Sequence, residues 1–326
     1  MNVTVLGAGA WGTALALVLH QNGHRLTVWG HDPVHLESMA RTGSNDAYLP
    51  GIPLPSDWVF EATAGRAVQG AELVVMVVPS QAFRAVASSL GAVRCPVVTA
   101  TKGIEFETGL TMGGILEACL PGVPIAALSG PSLAPEVARG VPTAVVAAAA
   151  DSDTAAAVQA AFHRPQFRVY SSTDRLGVEL GGALKNIIAI GAGVCDGLGF
   201  GNNSKAALVT RGQAEVRRLG AACGARPDTF TGLSGLGDLT VTCFSAMSRN
   251  RRLGERLGRG ESLAQAVAAT TAIAEGVPTA RSALRLADSR GVEVPIIREI
   301  HAMLFENKNV RDGVRDLLAR DLKAED

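Results

Sequence analysis

Lys185 stands out among the residues able to do chemistry. Apolar residues around it recur at i, i+3 and i+4 (Leu176, Leu180, Leu184, Ile187, Ile188, Gly191, Cys195, Leu198), the pattern of one long buried helix, followed by a glycine-rich turn over 197–203. Lys185 lies off that stripe, and its own face carries Gly181, Gly182, Ala189 and Ala192, so it stands in a groove. A glycine inside a helix costs about 1 kcal/mol relative to alanine. Gly181, Gly182, Gly191 and Gly193 therefore call for something that approaches this helix closely. One answer is tight helix packing with the lysine turned to solvent. The other is a desolvated ammonium placed for proton transfer. Three further groups bear on the choice. Lys102, in Thr101-Lys102-Gly103, is a candidate partner for an anionic or carbonyl oxygen. Asp238 sits in the glycine-rich loop GLSGLGDLTVT from Gly232, as a helix cap or as an orienting carboxylate. Ser248-Arg249-Asn250-Arg251-Arg252 offers a hydroxyl, an amide and three guanidiniums, which suits a phosphate as well as a solvated charged turn.

These groups need elements to position them. Residues 2–6 (NVTVL) read as a strand running into Gly7-Ala8-Gly9-Ala10-Trp11-Gly12 and then a helix. In that context Gly7 makes the tight turn, Gly9 lets backbone approach a pyrophosphate, and Gly12 lets the helix pack on the strand, with its N-terminal N–H groups facing phosphate. Strand-like runs follow at 25–29, 59–63, 72–78, 96–101, 125–128 and 143–150, alternating with helical stretches such as 80–90 and 110–120. That alternation predicts a doubly wound parallel sheet with its ligands at the strand C-termini, where Lys102 and Ser129-Gly130-Pro131-Ser132 fall. Residues 42–58 lack clear periodicity and read as a surface loop that could border an adenosine. Beyond 151, apart from a strand at 167–170, helical periodicity takes over. The expected domains are 1–171, dinucleotide-binding, and 172–326, helical and substrate-binding.

The 326 residues provide for two cores. Thirty Lys and Arg balance thirty Asp and Glu, which argues against a broad nucleic-acid or membrane-surface footprint and makes any anion site local. The five cysteines form no CxxC pair and indicate neither a disulfide framework nor a zinc site. No metal is called for. With no leader-like or membrane-spanning run, a cytoplasmic enzyme is expected.

The blocks GAGAWGTALA, TKGIE at Thr101, SGPSLAPEVARG at Ser129, LKNIIAIGAGVCDGLGFGNNSKAALVTRG at Leu184, GLSGLGDLTVTC at Gly232 and SRNR at Ser248 resemble, over essentially the whole chain, the bacterial NAD(P)-dependent glycerol-3-phosphate dehydrogenases. The resemblance implies a Rossmann-type N-terminal domain and a helical C-terminal domain like that of 6-phosphogluconate dehydrogenase. It implies reversible hydride transfer between NADP or NAD and dihydroxyacetone phosphate, giving glycerol 3-phosphate for phospholipid synthesis. By motif, Lys185 matches the family's proton donor and acceptor, with Asn186 beside it. Lys102, Asp238 and Thr242 match its substrate-site residues, and Gly130, Ser132, Ser248, Arg249 and Asn250 its glycerol-phosphate contacts. Ala10, Trp11, His31, Ala134, Arg249 and Glu275 match cofactor positions, with Lys102 also placed near the cofactor. A homodimer is left open.

Two other functions compete. A 3-hydroxyacid dehydrogenase on this scaffold typically carries lysine and asparagine four apart on its active helix, and Lys185-Asn186 are adjacent. A non-catalytic NADPH sensor would not need Lys185, Lys102 and Asp238 together. The strand at 25–29 bears on the cofactor. NAD-selective folds place a carboxylate at the end of this strand, where it accepts the ribose 2′-hydroxyl. Here Gly30 and His31 follow the strand, and Asp32, ahead of Pro33, looks like a helix cap. NADPH is therefore expected to serve at least as well as NADH, and Gly30→Asp to shift preference towards NADH. Comparing kcat/KM for the two cofactors checks this. An NADH advantage above about tenfold, ~1.4 kcal/mol, would mean that an acid does reach the ribose.

Overall fold

The computed structural model describes residues 1–269 and 274–321. By contacts the chain forms two compact units, Met1–Lys102 with Leu110–Glu179, and Gly103–Gly109 with the chain from Leu180 onward. The 171/172 boundary falls at the end of a strand, whereas the contact division falls between Glu179 and Leu180, inside a helix.

The first unit has ten strands among its described residues: β1 (Asn2–Leu6), β2 (Arg25–Trp29), β3 (Ser44–Asn45), β4 (Leu49–Pro53), β5 (Val59–Glu61), β6 (Leu73–Met76), β7 (Val97–Thr99), β8 (Ile125–Ser129), β9 (Thr143–Ala149) and β10 (Phe167–Ser172). Its helices are α1 (Ala10–Gln21), α2 (Pro33–Thr42), α3 (Ala64–Ala67), α4 (Phe83–Ser89), α5 (Met112–Cys119), α6 (Ala134–Ala138) and α7 (Ser152–Phe162). Eight strands make one sheet in the order β10-β9-β8-β7-β6-β1-β2-β5. Successive residues of β1 face opposite sides. Val3 and Val5 join a core with Leu15, Leu19 and Phe162 from α1 and α7, while Leu6 joins one with Ala64, Phe83 and Met112. A sheet buried on both faces explains why its strands read as continuous apolar runs. Chain order reverses between β1 and β6, which creates a crevice at their carboxyl ends.

Two expectations need correction. The sheet is parallel except that β9 runs antiparallel to β8, carrying β10 with it. Between β8 and β9 lies only α6, whose five residues rise ~7.5 Å against the ~17 Å of a five-residue strand, so the chain re-enters at the edge it left. The 42–58 stretch is no simple surface loop. It holds the end of α2 and the antiparallel pair β3–β4, and buries Asn45, Leu49, Leu54 and Trp58.

In the second unit the described helices after the shared α8 (Arg175–Gly197) are α9 (Asn202–Ala222), α10 (Asp238–Phe244), α11 (Arg249–Gly258), α12 (Leu263–Ala268), α13 (Gly276–Ser289), α14 (Pro295–Phe305) and α15 (Val310–Leu318). Among the described residues α8 alone is long and apolar enough to cross a membrane, and its apolar window is wholly buried within the protein. Its glycines admit neighbours. A Cβ on Gly193 would lie 1.9 Å from the Arg251 carbonyl oxygen, and one on Gly197 2.2 Å from that of Glu255, so α11 rests directly on α8.

Glu215, buried on α9, accepts hydrogen bonds from the Ile296 and Ile297 N–H groups at 2.7 and 3.1 Å, capping the start of α14. Burial nonetheless pushes its carboxyl from 4.5 up to about 7, against those two bonds. The folded state thus holds this proton more tightly than the unfolded chain. Its stabilising contribution is complete below about pH 4.5 and is lost as pH rises through about 7. Glu215→Gln removes that dependence. The variant's melting temperature relative to the native protein is expected to rise between pH 5 and pH 8, by the equivalent of ~1 to 3 kcal/mol. A difference that stays constant across that range in thermal melts would contradict it.

Candidate functional site

In the first unit the expected site residues gather at the carboxyl edge of the sheet. Gly7 follows β1 with φ +134°, and a Cβ there would lie 2.4 Å from the Val77 carbonyl oxygen at the end of β6. A Cβ on Gly12 would lie 1.8 Å from the Gly7 carbonyl oxygen. Those two glycines seal strand, turn and helix together. Gly9 differs, since its missing Cβ would touch nothing within 4 Å, and it begins α1 without a side-chain cap. An open glycine ahead of uncapped helix N–H groups suits an anion. Ala10, Trp11 and Ala134 are half-buried and pack on the core shared by α1.

Lys102 follows β7, where the Thr101 hydroxyl donates to the Val78 carbonyl (2.7 Å) and ties the ends of β6 and β7 together. Gly130 follows β8 with φ +149°, a Cβ there coming within 2.8 Å of the Val145 Cα, and Ser132 Oγ donates to the Gly130 carbonyl (2.9 Å). His31 is exposed just past β2. Asp32 does cap α2, accepting from Val34 N at 2.9 Å and His35 N at 3.3 Å. Gly30, however, is buried, with its Cβ position 3.0 Å from Leu36 and 3.1 Å from Ala8. An aspartate there enters a packed space, so His31→Asp is the better carboxylate substitution. Sequence reading missed Asn45, whose Nδ2 donates to the Ala8 carbonyl (3.0 Å) and Thr13 Oγ1 (2.8 Å), bracing the glycine turn.

In the second unit Lys185 is buried, and Nζ lies 2.5 Å from both Asp238 Oδ1 and Thr242 Oγ1. The segment read as a loop is a π-helical turn, Leu233–Gly237, continuing into α10. Asp238 is the first residue of α10, with Gly237 at the cap position, and its carboxylate turns to Lys185 instead of capping. Thr242 follows at i+4 on the same face, and its hydroxyl donates to the Asp238 carbonyl (2.6 Å) while accepting from the ammonium. The turn can come this close because a Cβ on Gly181 would lie only 2.8 Å from the Ser234 carbonyl oxygen.

Beside this pair runs a second chain of polar contacts. Asn250 Nδ2 donates to Asn186 Oδ1 (2.8 Å), and Asn250 Oδ1 accepts from Gly276 N (2.9 Å), joining α8, α11 and α13. The arginine cluster divides. Ser248 caps α11, its Oγ accepting from Arg251 N (3.2 Å), and keeps a hydroxyl proton to donate. Arg251 binds Asp196 through Nε (2.6 Å), and Asp196 also pairs with buried Lys205, so that guanidinium is structural. Arg249 and Arg252 are exposed. Crowding around the Arg249 guanidinium lowers its pKa, the Glu275 carboxylate opposes that, and Arg252 adds to it. Thus Glu275 and Arg249, expected at the cofactor, face one another electrostatically. Burial pushes the Cys243 thiol, next to Thr242, up to about 12 and Cys195 on α8 up to about 11, which makes both inert.

Such an arrangement can hold a carbonyl or hydroxyl oxygen at an oriented ammonium and an anion at exposed guanidiniums. Asp238→Ala leaves the Lys185 charge buried without its counterion and is expected to cost about 3 to 5 kcal/mol of stability. Adding Lys185→Met should recover a large part of that loss in urea unfolding. Additive losses would mean the two charges are not coupled.

Family models match both parts of the chain: the N-terminus of NAD-dependent glycerol-3-phosphate dehydrogenase over residues 2–155, and its C-terminus over 174–315. A protein of Geobacter sulfurreducens named glycerol-3-phosphate dehydrogenase [NAD(P)+] is 47% identical over 99% of this chain and 98% of its own length. The protein of that name from Prosthecochloris aestuarii is 45% identical over the full length of both. The crystal structure of glycerol-3-phosphate dehydrogenase from Coxiella burnetii superposes with a TM-score of 0.94 at 38% identity, covering 98% of this chain and 99% of that one.

Proposed function

The chain belongs to the NAD-dependent glycerol-3-phosphate dehydrogenase family, and from that premise we propose that it interconverts dihydroxyacetone phosphate and sn-glycerol 3-phosphate with NADPH or NADH, supplying phospholipid synthesis. The buried Lys185 ammonium, gripped by Asp238 and Thr242, carries this reading. A bound nicotinamide dinucleotide supplies or takes up the hydride. Lys185 gives its proton to the C2 oxygen as the ketone is reduced and takes it back in the reverse direction. Asp238 and Thr242 fix the direction of the ammonium, and Asn186, locked by Asn250, holds a polar wall beside it. Arg249, with the Ser248 hydroxyl, anchors the phosphate and so places C2. Lys102, Gly130 and Ser132 are assigned to substrate oxygens by their motif.

The glycine turn fits a dinucleotide, since Gly9 is open and the start of α1 is uncapped. Ala10, Trp11, Ala134, Arg249 and Glu275 are assigned to that cofactor, and exposed His31 to its 2′ substituent. The first unit is assigned to dinucleotide binding and the second to substrate chemistry. All five cysteines are unpaired, which suits a cytoplasmic enzyme whose partners are small molecules.

Lys185→Ala tests the central role. Following nicotinamide absorbance with dihydroxyacetone phosphate, kcat should fall by at least about 10²-fold, while NADPH affinity and the circular dichroism spectrum are retained. A kcat within a few-fold of the native value removes Lys185 from the proton transfer.

A further inference from the structure

Apart from the residues around Lys185 and Arg249, the second unit holds a cavity of about 350 Å³ lined by Phe106, Arg281, Leu284, Arg285, Asp288 and His301. Arg281 and Arg285 are one turn apart on α13, an i,i+4 pair of like charges that repel. Each places its guanidinium carbon 4.9 Å from the centre of the Phe106 ring, which is itself exposed, and Arg281 also lies 5.4 Å from the Phe305 ring. Neither arginine has an ion-pair partner among the described residues. The acid lining the same cavity, Asp288, is taken up by Arg298 at 2.6 Å, and His301 by Glu306 at 3.0 Å.

We propose that this cavity binds a small phosphate-bearing anion. Two guanidiniums present planar donor forks that match phosphate oxygens in pairs. Packing against one ring fixes both guanidiniums at the cavity while leaving their edges to donate. A dianion in the cavity they line offsets the repulsion between them, and Leu284 and Phe106 provide an apolar wall for its carbon skeleton. The volume lies at the lower end of the ~300 to 1,000 Å³ of small-molecule sites, the size of a phosphomonoester or diphosphate and not of a whole dinucleotide.

Pyrophosphate is the probe, titrated calorimetrically into the full-length protein saturated with NADPH, so that the glycine turn is occupied. The native protein is expected to show a binding event that Arg281→Gln/Arg285→Gln weakens at least tenfold and Arg249→Gln leaves in place, turnover of dihydroxyacetone phosphate by the double variant staying within twofold. Phe106→Ala, which keeps both charges, should weaken the same event several-fold, and tests the site should the double variant not fold. Isotherms unchanged by these substitutions overturn the site. So does a double variant that binds pyrophosphate normally but changes its association state in sedimentation, since the arginines then belong to an interface between copies.

Discussion

Everything around Lys185 depends on how closely other backbone can approach α8. Where Gly181, Gly193 and Gly197 interrupt the helix, backbone oxygens of Ser234, Arg251 and Glu255 occupy space that a methyl group would fill. The approach is reciprocal on α11, since a Cβ on Gly254 would lie 1.9 Å from the Ile190 carbonyl oxygen and one on Gly258 2.6 Å from that of Val194. Contact through glycine brings the backbones of two helices closer than packing through larger side chains does. That nearness lets the short side chains of Asn186 and Asn250 meet, and the approach of the Ser234 turn at Gly181 lets Asp238 reach Lys185. Gly276 extends the same logic to α13, its Cβ position lying 2.6 Å from the Asn186 carbonyl oxygen. The helix propensity lost at these glycines is offset by contacts that no larger residue allows.

Close packing also sets the electrostatics. With backbone pressed against α8, Lys185 is excluded from water, and a buried ammonium without a counterion is expensive. Asp238 and Thr242 compensate from one face of α10. A buried pair of this kind gives little net stability, since desolvation consumes most of the Coulombic gain. What it gives is direction, because the ammonium cannot turn away without stranding the carboxylate. The Lys205, Asp196 and Arg251 network does the equivalent for α11, fastening its first turn while Lys205 lies 5.4 Å from the Phe244 ring.

Legibility followed periodicity. The glycine turn, the doubly wound sheet and α8 were readable because strand alternation and helical spacing repeat over many residues. The groove around Lys185 was readable from small residues at i±3 and i±4; the glycines there serve packing, and the lysine is buried by it and not turned to solvent. Asp238 and Thr242 lie four apart, a helical signal hidden by the glycines before them, which fold as a π-helical turn. Asn45 left no local trace, since its role comes from contacts with Ala8 and Thr13 far away in sequence. The reversal of β9 rests on the length of α6, which the PSLAPEVARG stretch does not advertise. Gly30 looked like a vacancy for a carboxylate only because its neighbours Leu36 and Ala8 are not adjacent in the chain.

Helical phase divides the arginines of this turn into different environments. Along α11, Asn250, Leu253, Gly254 and Leu257 are buried, so the stripe facing α8 runs through position 250. Arg252 then points away from α8, while Arg249 and Arg251 flank the stripe on either side, Arg251 turning to Asp196. Composition alone counts three equivalent guanidiniums, but phase leaves two that repel each other and one that is neutralised. Arg252 and desolvation both disfavour the Arg249 charge, and Glu275 restores part of it from the start of α13. An anion brought to Arg249 offsets the repulsion between Arg249 and Arg252. Arg249 thus carries a positive charge that the surrounding groups compensate only in part.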